Sequence, residues 1–526
     1  MKFLDLTVKM AAQTLLLFGV ACSAQANPGQ FVAKQFTEAL GRAPDAGGWQ
    51  THMNYIAANG CTRSTLNSIS DSIFSSSEYA ARGYDNYEKV LTVYRAVGSR
   101  EPDPSGFNYW LTYLNNGNSL VSMVDFFYQQ IDAATVTKMC STLGYGWGVG
   151  STLDNTTIPV KGSGITTLAA LKTALQNAVS GTTVYLAQRA VIATSEQIRV
   201  PSGVTLATTG LPPQSQYAKQ ARIVRTSAFG TQPGDSGLVH LLPGAKLHSV
   251  WVSGQGQNFS SDSQKNDKVT VFMQGGTGTL VSNSRIDNAS GWTQVLAHHF
   301  DGLACSMTVT SNLLTGYANN HQAKLTDGIS GNCENLSISY NDVVDASDVG
   351  VILFASSTAA GPMTQASQVH HNTVVSAGVP AIGALMMDAR IAYEVVGTQS
   401  FAGASFNNNT FFAAPDSHFD IGLVVGSIPS YEESPANMAS GGSFTSNTTG
   451  GIATPMQIGI SVDGMWNAQV SSNTVVRAVP LTASGTSLPF SFTCATPGAI
   501  VVHPVHGTGT IQGPQINGSN HNCAKH

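Results

Sequence analysis

Two kinds of hydrophobic pattern divide this chain of 526 residues. From about residue 30 to 143, apolar residues recur at helical spacing, with Phe31, Phe36 and Leu40 sharing one face and Val90, Tyr94 and Val97 another. Each stretch runs into the same phrase. Leu40-Gly41-Arg42-Ala43-Pro44-Asp45-Ala46-Gly47-Gly48-Trp49 recurs as Val97-Gly98-Ser99-Arg100-Glu101-Pro102-Asp103-Pro104-Ser105-Gly106-Phe107, offset by 58 residues from Asp45 to Asp103. Pro-Asp is expected to break the helix and Gly to reverse the chain. An aromatic, Trp49 or Phe107 with Trp110, then opens the next helix. After a Gly-rich stretch at 144–150, the pattern changes. One amphipathic helix marked by Leu168, Leu171, Leu175 and Val179 is followed by short β-branched runs at Val184–Leu186, Ile198–Val200 and Val204–Leu206, with Pro201-Ser202-Gly203 as a turn.

Further on, an Asn introduces an apolar pair again and again: Asn312-Leu313-Leu314, Asn341-Asp342-Val343-Val344, Asn372-Thr373-Val374-Val375, Asn409-Thr410-Phe411-Phe412 and Asn473-Thr474-Val475-Val476, with a weaker copy at Asn447. The separations, 29, 31, 37, 38 and 26 residues, suit solenoid coils carrying loops of different length. Stacked Asn amides can bond to the Asn above and below and satisfy turn backbone groups. A second element, Val349-Gly350, Ile382-Gly383, Ile421-Gly422 and Ile458-Gly459, falls between the Asn turns. A β-propeller would need four strands per repeat, more than most of these spacings hold. The fold expected is therefore mainly β, a right-handed parallel β-helix preceded by a small all-α domain. The expected organisation is a signal peptide over 1–26, tandem helical repeats over 27–143, a linker over 144–164, the β-helix over 165–480 and a C-terminal tail over 481–526.

Composition narrows the setting. Charged residues make up only 10% of the chain, Gly counts 53, and the net charge is -5. No basic stripe tracks a phosphate backbone, which excludes nucleic acid as the expected partner. Lys2 and Lys9, the apolar run Leu15 to Ala21 and Ala24-Gln25-Ala26 have the layout of an export signal, too short to span a bilayer. Cys22 sits where a lipid acceptor would, although Gly19 departs from the aliphatic residue expected three positions earlier. Export to the periplasm or beyond, with cell-surface association as an option, is the reading. Cleavage after Ala26 leaves six cysteines, whose order suggests Cys61–Cys140, Cys305–Cys333 and Cys494–Cys523. No Cys-x-x-Cys pair supports zinc.

The helical phrase resembles a domain-of-unknown-function family of tandem repeats attached to many secreted bacterial proteins and distantly similar to phycobilisome linker domains. That family implies attachment or assembly and no chemistry. The helix at 168–179 resembles the cap of pectin-lyase-like β-helices. Asp327-Gly328-Ile329 with Ser337-Ile338-Ser339-Tyr340-Asn341 resembles a pattern shared by pectate lyases, polygalacturonases and mannuronan epimerases. The chain departs from their catalytic signatures: it has no Asp-Asp with Gly-His-Gly and no Arg-x-Pro-x-x-Arg.

Candidate chemistry is sought among the scarce charges of residues 298–394. Aligning coils puts Asp301-Gly302-Leu303 and Asp327-Gly328-Ile329 in one column, with Asp348 beside it. Carboxylates on successive coils serve as acid and base on a glycosidic bond, or hold calcium, the one cofactor this pattern suggests. The resemblance implies a Lys or Arg as proton-abstracting base, so Lys324 is the first candidate and Arg390 the second, with Asp301 and Asp327 as catalytic partners. Asp301, Asp327 and Asp348 are the candidate metal ligands. Asp348, His321, Asp388, Tyr393 and His371 are candidate substrate contacts, and the partner expected is a polysaccharide. A lyase is favoured with a hydrolase close behind. The alternative from another class is a non-catalytic glycan-binding or surface protein.

Overall fold

The computed structural model describes residues 28–141, 159–226, 237–255, 269–289, 291–299, 303–316, 325–354, 366–388, 399–415, 417–426, 439–463 and 465–478, with short strands beyond 492. Segment 1–26 with Cys22, and Cys494 of the C-terminal pair, lie outside the described residues, as does most of the expected linker. Among the described residues no helix is long and apolar enough to cross a membrane.

The duplicated phrase forms two equivalent helix starts. Asp45 caps helix Ala46–Asn59, its Oδ1 accepting from the Gly48 N–H at 2.8 Å, and Asp103 caps Pro104–Asn115 in the same way from Gly106 at 2.8 Å. The glycines do not reverse the chain, as the sequence suggested. They lie in the first turn of each helix because another ring passes there: a Cβ on Gly48 would stand 2.9 Å from Phe36 Cζ, and one on Gly106 would meet the Tyr94 hydroxyl. Cys61 and Cys140 form the expected disulfide, tying the second helix's end to the last helix of the region.

The body is a right-handed parallel β-helix. One coil shows the plan: strand Asp327–Gly331, strand Ser337–Ser339, a turn at Asn341, strand Asp342–Val344, then Val349–Phe354 beside the first strand. Stacking coils gives three parallel sheets. We call the sheet holding Ser337–Ser339 the open sheet, that holding Asp342–Val344 the covered sheet, and that holding Asp327–Gly331 the third sheet. A further disulfide joins Cys305 and Cys333 in adjacent coils. The interior is filled by inward residues such as Val309, Ile338, Val369, Phe406 and Phe444, all fully buried. Helix Leu168–Asn177 caps the open end with Leu171 and Leu175, whereas Val179 lies past its end and is exposed. Strand pairing begins a little earlier than residue 165, where Lys161 bridges Gln188.

The Asn turns stack into a ladder between the open and covered sheets. Asn312, Asn341, Asn372, Asn409, Asn447 and Asn473 are buried, and each of the first five amides donates to the next Asn Oδ1 at 2.9 Å. Each also donates to an inward carbonyl, Asn341 to Val309 O at 2.9 Å and Asn372 to Ile338 O at 3.0 Å. The side chains thereby satisfy backbone groups that burial would otherwise leave unpaired. The residue before each Asn turns the corner in the left-handed region: Ser311, Tyr340, His371, Asn408, Ser446 and Ser472 all have φ between 54° and 57°.

The helices lie along the outer face of the covered sheet, and one apolar cluster runs from Phe31, Phe36, Trp49 and Tyr94 into Tyr217, Trp251, Val344, Val375 and Phe412 of the coils. Buried charges cross this junction. Glu38 makes two bonds to Arg285, 2.7 and 2.8 Å, with both side chains fully buried, and Arg285 also meets Asp287 at 3.2 Å. Glu101 joins Arg95 to Arg222, and Arg189 reaches Asp85 and Glu88. The guanidinium of Arg285 lies over Tyr217 and Trp251, that of Arg222 over Trp251 at 3.9 Å. Gly41 has φ 65° and a Cβ there would stand 2.6 Å from the Ser215 backbone, so the two parts touch main chain to main chain.

Candidate functional site

The three outer faces differ in chemistry. The covered sheet is taken by the helices. The third sheet presents Phe272, Leu296, Ile352, Phe354, Met386 and Val424, all buried, as a separate apolar cluster with Trp292 and Ile382 packed against it. Along the coils from Cys305 to His370 the described strands of the open sheet alternate buried and partly exposed residues, as expected of a strand facing water on one side.

Asp327 opens its strand and is 6% exposed. Its Oδ2 accepts from the Ser330 hydroxyl at 2.8 Å and its Oδ1 from the Val349 N–H at 3.1 Å, so the carboxylate ties one coil to the next. The expected Asp301–Asp327 column is not the register adopted. Asp327 pairs with Thr293, and in chain order Asp301 follows the far end of that strand, Thr293–His298. Asp301 itself lies outside the described residues. Asp348 is half-buried on the coil beside Asp327, its N–H donating to the Thr326 carbonyl at 3.1 Å.

The remaining candidates separate by the same topology. His321 and Lys324, outside the described residues, precede Asp327 in the connection from the covered to the third sheet. Asp388 is fully buried at the opposite end of the third sheet, as the last residue of Ala381–Asp388, in register with Phe354. Arg390 and Tyr393, also outside the described residues, follow it in the connection to the open sheet. His371 is exposed at the ladder corner, stacked on Tyr340 with centroids 5.1 Å apart, and its Nδ1 lies 3.0 Å from that of His370. Burial and the neighbouring His371 hold the His370 imidazole below its ordinary pKa. Among the described candidates, Asp327 and Asp348 share the start of neighbouring strands of the third sheet, whereas Asp388 lies at the strand end and His371 at the ladder corner.

Register brings forward residues that periodicity did not flag. On the coil after Asp388 the strand Phe419–Gly426 pairs Met387 with Val425, and Gly426 is itself in register with Asp463. Asp388, Gly426 and Asp463 thus form one column with a glycine between two acids. At the other end of the same strand, His418 Nε2 lies 3.3 Å from Asp420 Oδ1, a His-x-Asp spacing on one strand face that could have been found in the sequence. His299 and Glu334 make an ion pair at 3.3 Å next to Cys305. Their donor atoms and the Cys305 sulfur lie within 4.8 Å of one another, but the disulfide occupies that sulfur and leaves only two ligands.

No family model and no curated protein sequence matches the chain. Its coils are similar to those of solved β-helices at low identity. A polygalacturonase from Erwinia carotovora ssp. carotovora matches with 14% identity over 70% of this chain and 99% of that one, TM-score 0.39. The catalytic unit of a thermostable α-1,3-glucanase from Streptomyces thermodiastaticus matches with 15% identity over 70% of each chain, TM-score 0.38. PfbA, a surface adhesin of Streptococcus pneumoniae, matches with 11% identity over 70% and 90%, TM-score 0.37. The likeness is one of fold.

Proposed function

We propose that the protein is exported and cleaves a polysaccharide, at the rim where the third sheet runs into the open sheet. The observation that carries this is the column Asp388, Gly426, Asp463. Two coil steps separate the backbone positions of the acids, about 9–10 Å at 4.7–4.9 Å per step, a spacing near the upper end of that between acid and base in an inverting hydrolase. Gly426 between them presents no side chain, so a local opening of this rim would let a sugar reach Asp388, which is buried in the closed arrangement. One carboxyl would protonate the leaving oxygen while the other activates water.

A lyase is the second reading, and the position of Arg390 two residues beyond Asp388 favours it over one based on Lys324. Arg390 would take the proton beside a uronate carboxylate and Tyr393 would contact the sugar. Asp327 is engaged in holding coils together.

The test is incubation of the mature chain with acidic and neutral polysaccharides, with and without calcium, following reducing ends and ultraviolet absorbance together. Reducing ends without new absorbance, lost in Asp388→Asn and in Asp463→Asn, are expected. Absorbance lost in Arg390→Ala would establish the lyase instead. Silence across the panel in a folded protein would sink both and leave a glycan-binding or surface protein.

A further inference from the structure

The open sheet carries a surface that the rim does not use. Over six consecutive coils its outward residues fall into two columns in strict register. One is Thr308, Ser337, Gln368, Ser405, Ser443 and Gln469; the other is Thr310, Ser339, His370, Asn407, Thr445 and Ser471. The residues between them point inward and are buried. None of the twelve is charged and none is aliphatic. Water-facing protein surface ordinarily carries about 25–35% Lys, Arg, Glu and Asp, and long open sheets commonly use charge to resist pairing. Its absence here is a specific feature.

The side chains are held in place by one another. Thr310 and Ser339 hydroxyls are 3.1 Å apart, the Ser405 hydroxyl donates to Gln368 Oε1 at 2.5 Å, and Asn407 Nδ2 donates to Ser405 Oγ at 2.9 Å. Hydroxyls and amides both donate and accept, so the face offers paired functions at about 4.8 Å along the axis.

A second observation marks one margin. At the corner beside this face, four of six coils place Ser or Asn in the left-handed conformation that short polar residues tolerate. Two adjacent coils place Tyr340 and His371 there, φ 55° each. Tyr340 is 56% exposed, so burial does not offset that conformational cost. Its ring stacks on His371 and meets His370 edge-on at 5.7 Å. The result is an aromatic plate standing at the edge of an uncharged hydrogen-bonding lattice.

We propose that the open sheet binds an uncharged polysaccharide lying along the helix axis, with sugar hydroxyls on the two columns and one sugar face against Tyr340. The lack of charge selects the occupant: a uronate or phosphate polymer finds no cation among the twelve positions, whereas a neutral glycan finds a donor or acceptor at each coil. A carbohydrate ring offers an apolar face to an aromatic and hydroxyls to the amides. This face lies on a different sheet from the cleavage rim and would hold the protein on a neutral polymer whatever the rim does.

The experiment is affinity electrophoresis of the full chain in gels containing glucomannan, mixed-linkage β-glucan, dextran or polygalacturonate. At least one neutral polymer is expected to retard the protein. Tyr340→Ser, which installs the residue other coils carry, and Gln368→Glu, which adds a charge to the lattice, should each weaken that binding tenfold or more with an unchanged melting curve. Asp388→Asn should leave it intact, separating this face from the rim. The proposal is overturned if no neutral polymer retards the protein, if polygalacturonate is preferred and its binding depends on Tyr340, or if both face variants bind as the parent does.

Discussion

Removing Glu38 tests whether the helices and the coils form one cooperative body. Glu38 receives both terminal nitrogens of Arg285, at 2.7 and 2.8 Å, and its Oε2 also accepts from the Tyr217 hydroxyl at 2.8 Å. In Glu38→Ala the guanidinium stays buried against Tyr217 and Trp251 with Asp287 as its remaining acid. Breaking a fully buried pair by removing one partner costs about 3–5 kcal/mol, because the other charge is left uncompensated. Native-state hydrogen exchange reads that cost locally. Amides of Gln35–Leu40 and of strand Arg285–Asp287 should exchange about 10²–10³-fold faster, since 1.4 kcal/mol is about tenfold. The double variant Glu38→Leu with Arg285→Met removes both charges and should recover most of the loss. Two results would refute the reasoning: a change below threefold in Glu38→Ala, or a double variant as unprotected as the single one.

Asn372→Leu should destabilise the coils by about 3 kcal/mol or more, leaving the Ile338 carbonyl and the Asn341 N–H without their partners at about 1–3 kcal/mol each. Asn473→Leu, at the last of the described rungs, should cost less, and thermal melts of the two variants check the order. Burial pushes the Asp342 carboxyl, which accepts from the Ala43 N–H, up to about 6. The folded state then binds the proton more tightly than the unfolded state, so this group's stabilisation, full below about pH 4, declines as pH rises to about 6. Asp342→Asn should flatten the corresponding slope in denaturant midpoints across that window. Replacing Cys61 and Cys140 together by Ala should lower stability by up to about 4.5 kcal/mol on the loop-entropy account of a 79-residue separation. A melt in reducing agent that matches the oxidised one would count against it.

The coil architecture was legible because it repeats. Six ladder Asn residues, five of them with an apolar pair behind, impose the same turn chemistry at coil after coil, and even Asn447, the weak copy followed by Thr448-Thr449, takes its place. Both described disulfides were legible from order alone. Reading failed where a local likeness lacked a repeat to discipline it. Asp301-Gly302 looks like Asp327-Gly328, yet the residue in register with Asp327 is Thr293. Val349-Gly350 and Ile382-Gly383 are one residue out of step, Val349 pairing with Gly383. The glycines of the helical phrase looked like turns because their partners, Phe36 and Tyr94, are distant in sequence. Packing across more than ten residues leaves no periodic trace.

Scarcity of charge shaped the choice of candidate site residues. If charged residues are few, those present seem reserved for chemistry, and the search narrows to the coils that hold them. The fold uses them otherwise: Glu38, Glu88, Glu101, Arg95, Arg189, Arg222 and Arg285 sit in the junction between helices and coils, where each cation has an anion from the other part or its own. The apolar cluster between helices and coils supplies area but little selectivity. Buried ion pairs penalise every alternative partner that lacks the matching charge. The helical repeats, which sequence likeness assigned to attachment, are by this logic selected by the coils they cover. Much of the charge has gone to that junction, and six consecutive coils of the open sheet, from Thr308 to Ser471, carry none, although Lys246 stands exposed two coils before them.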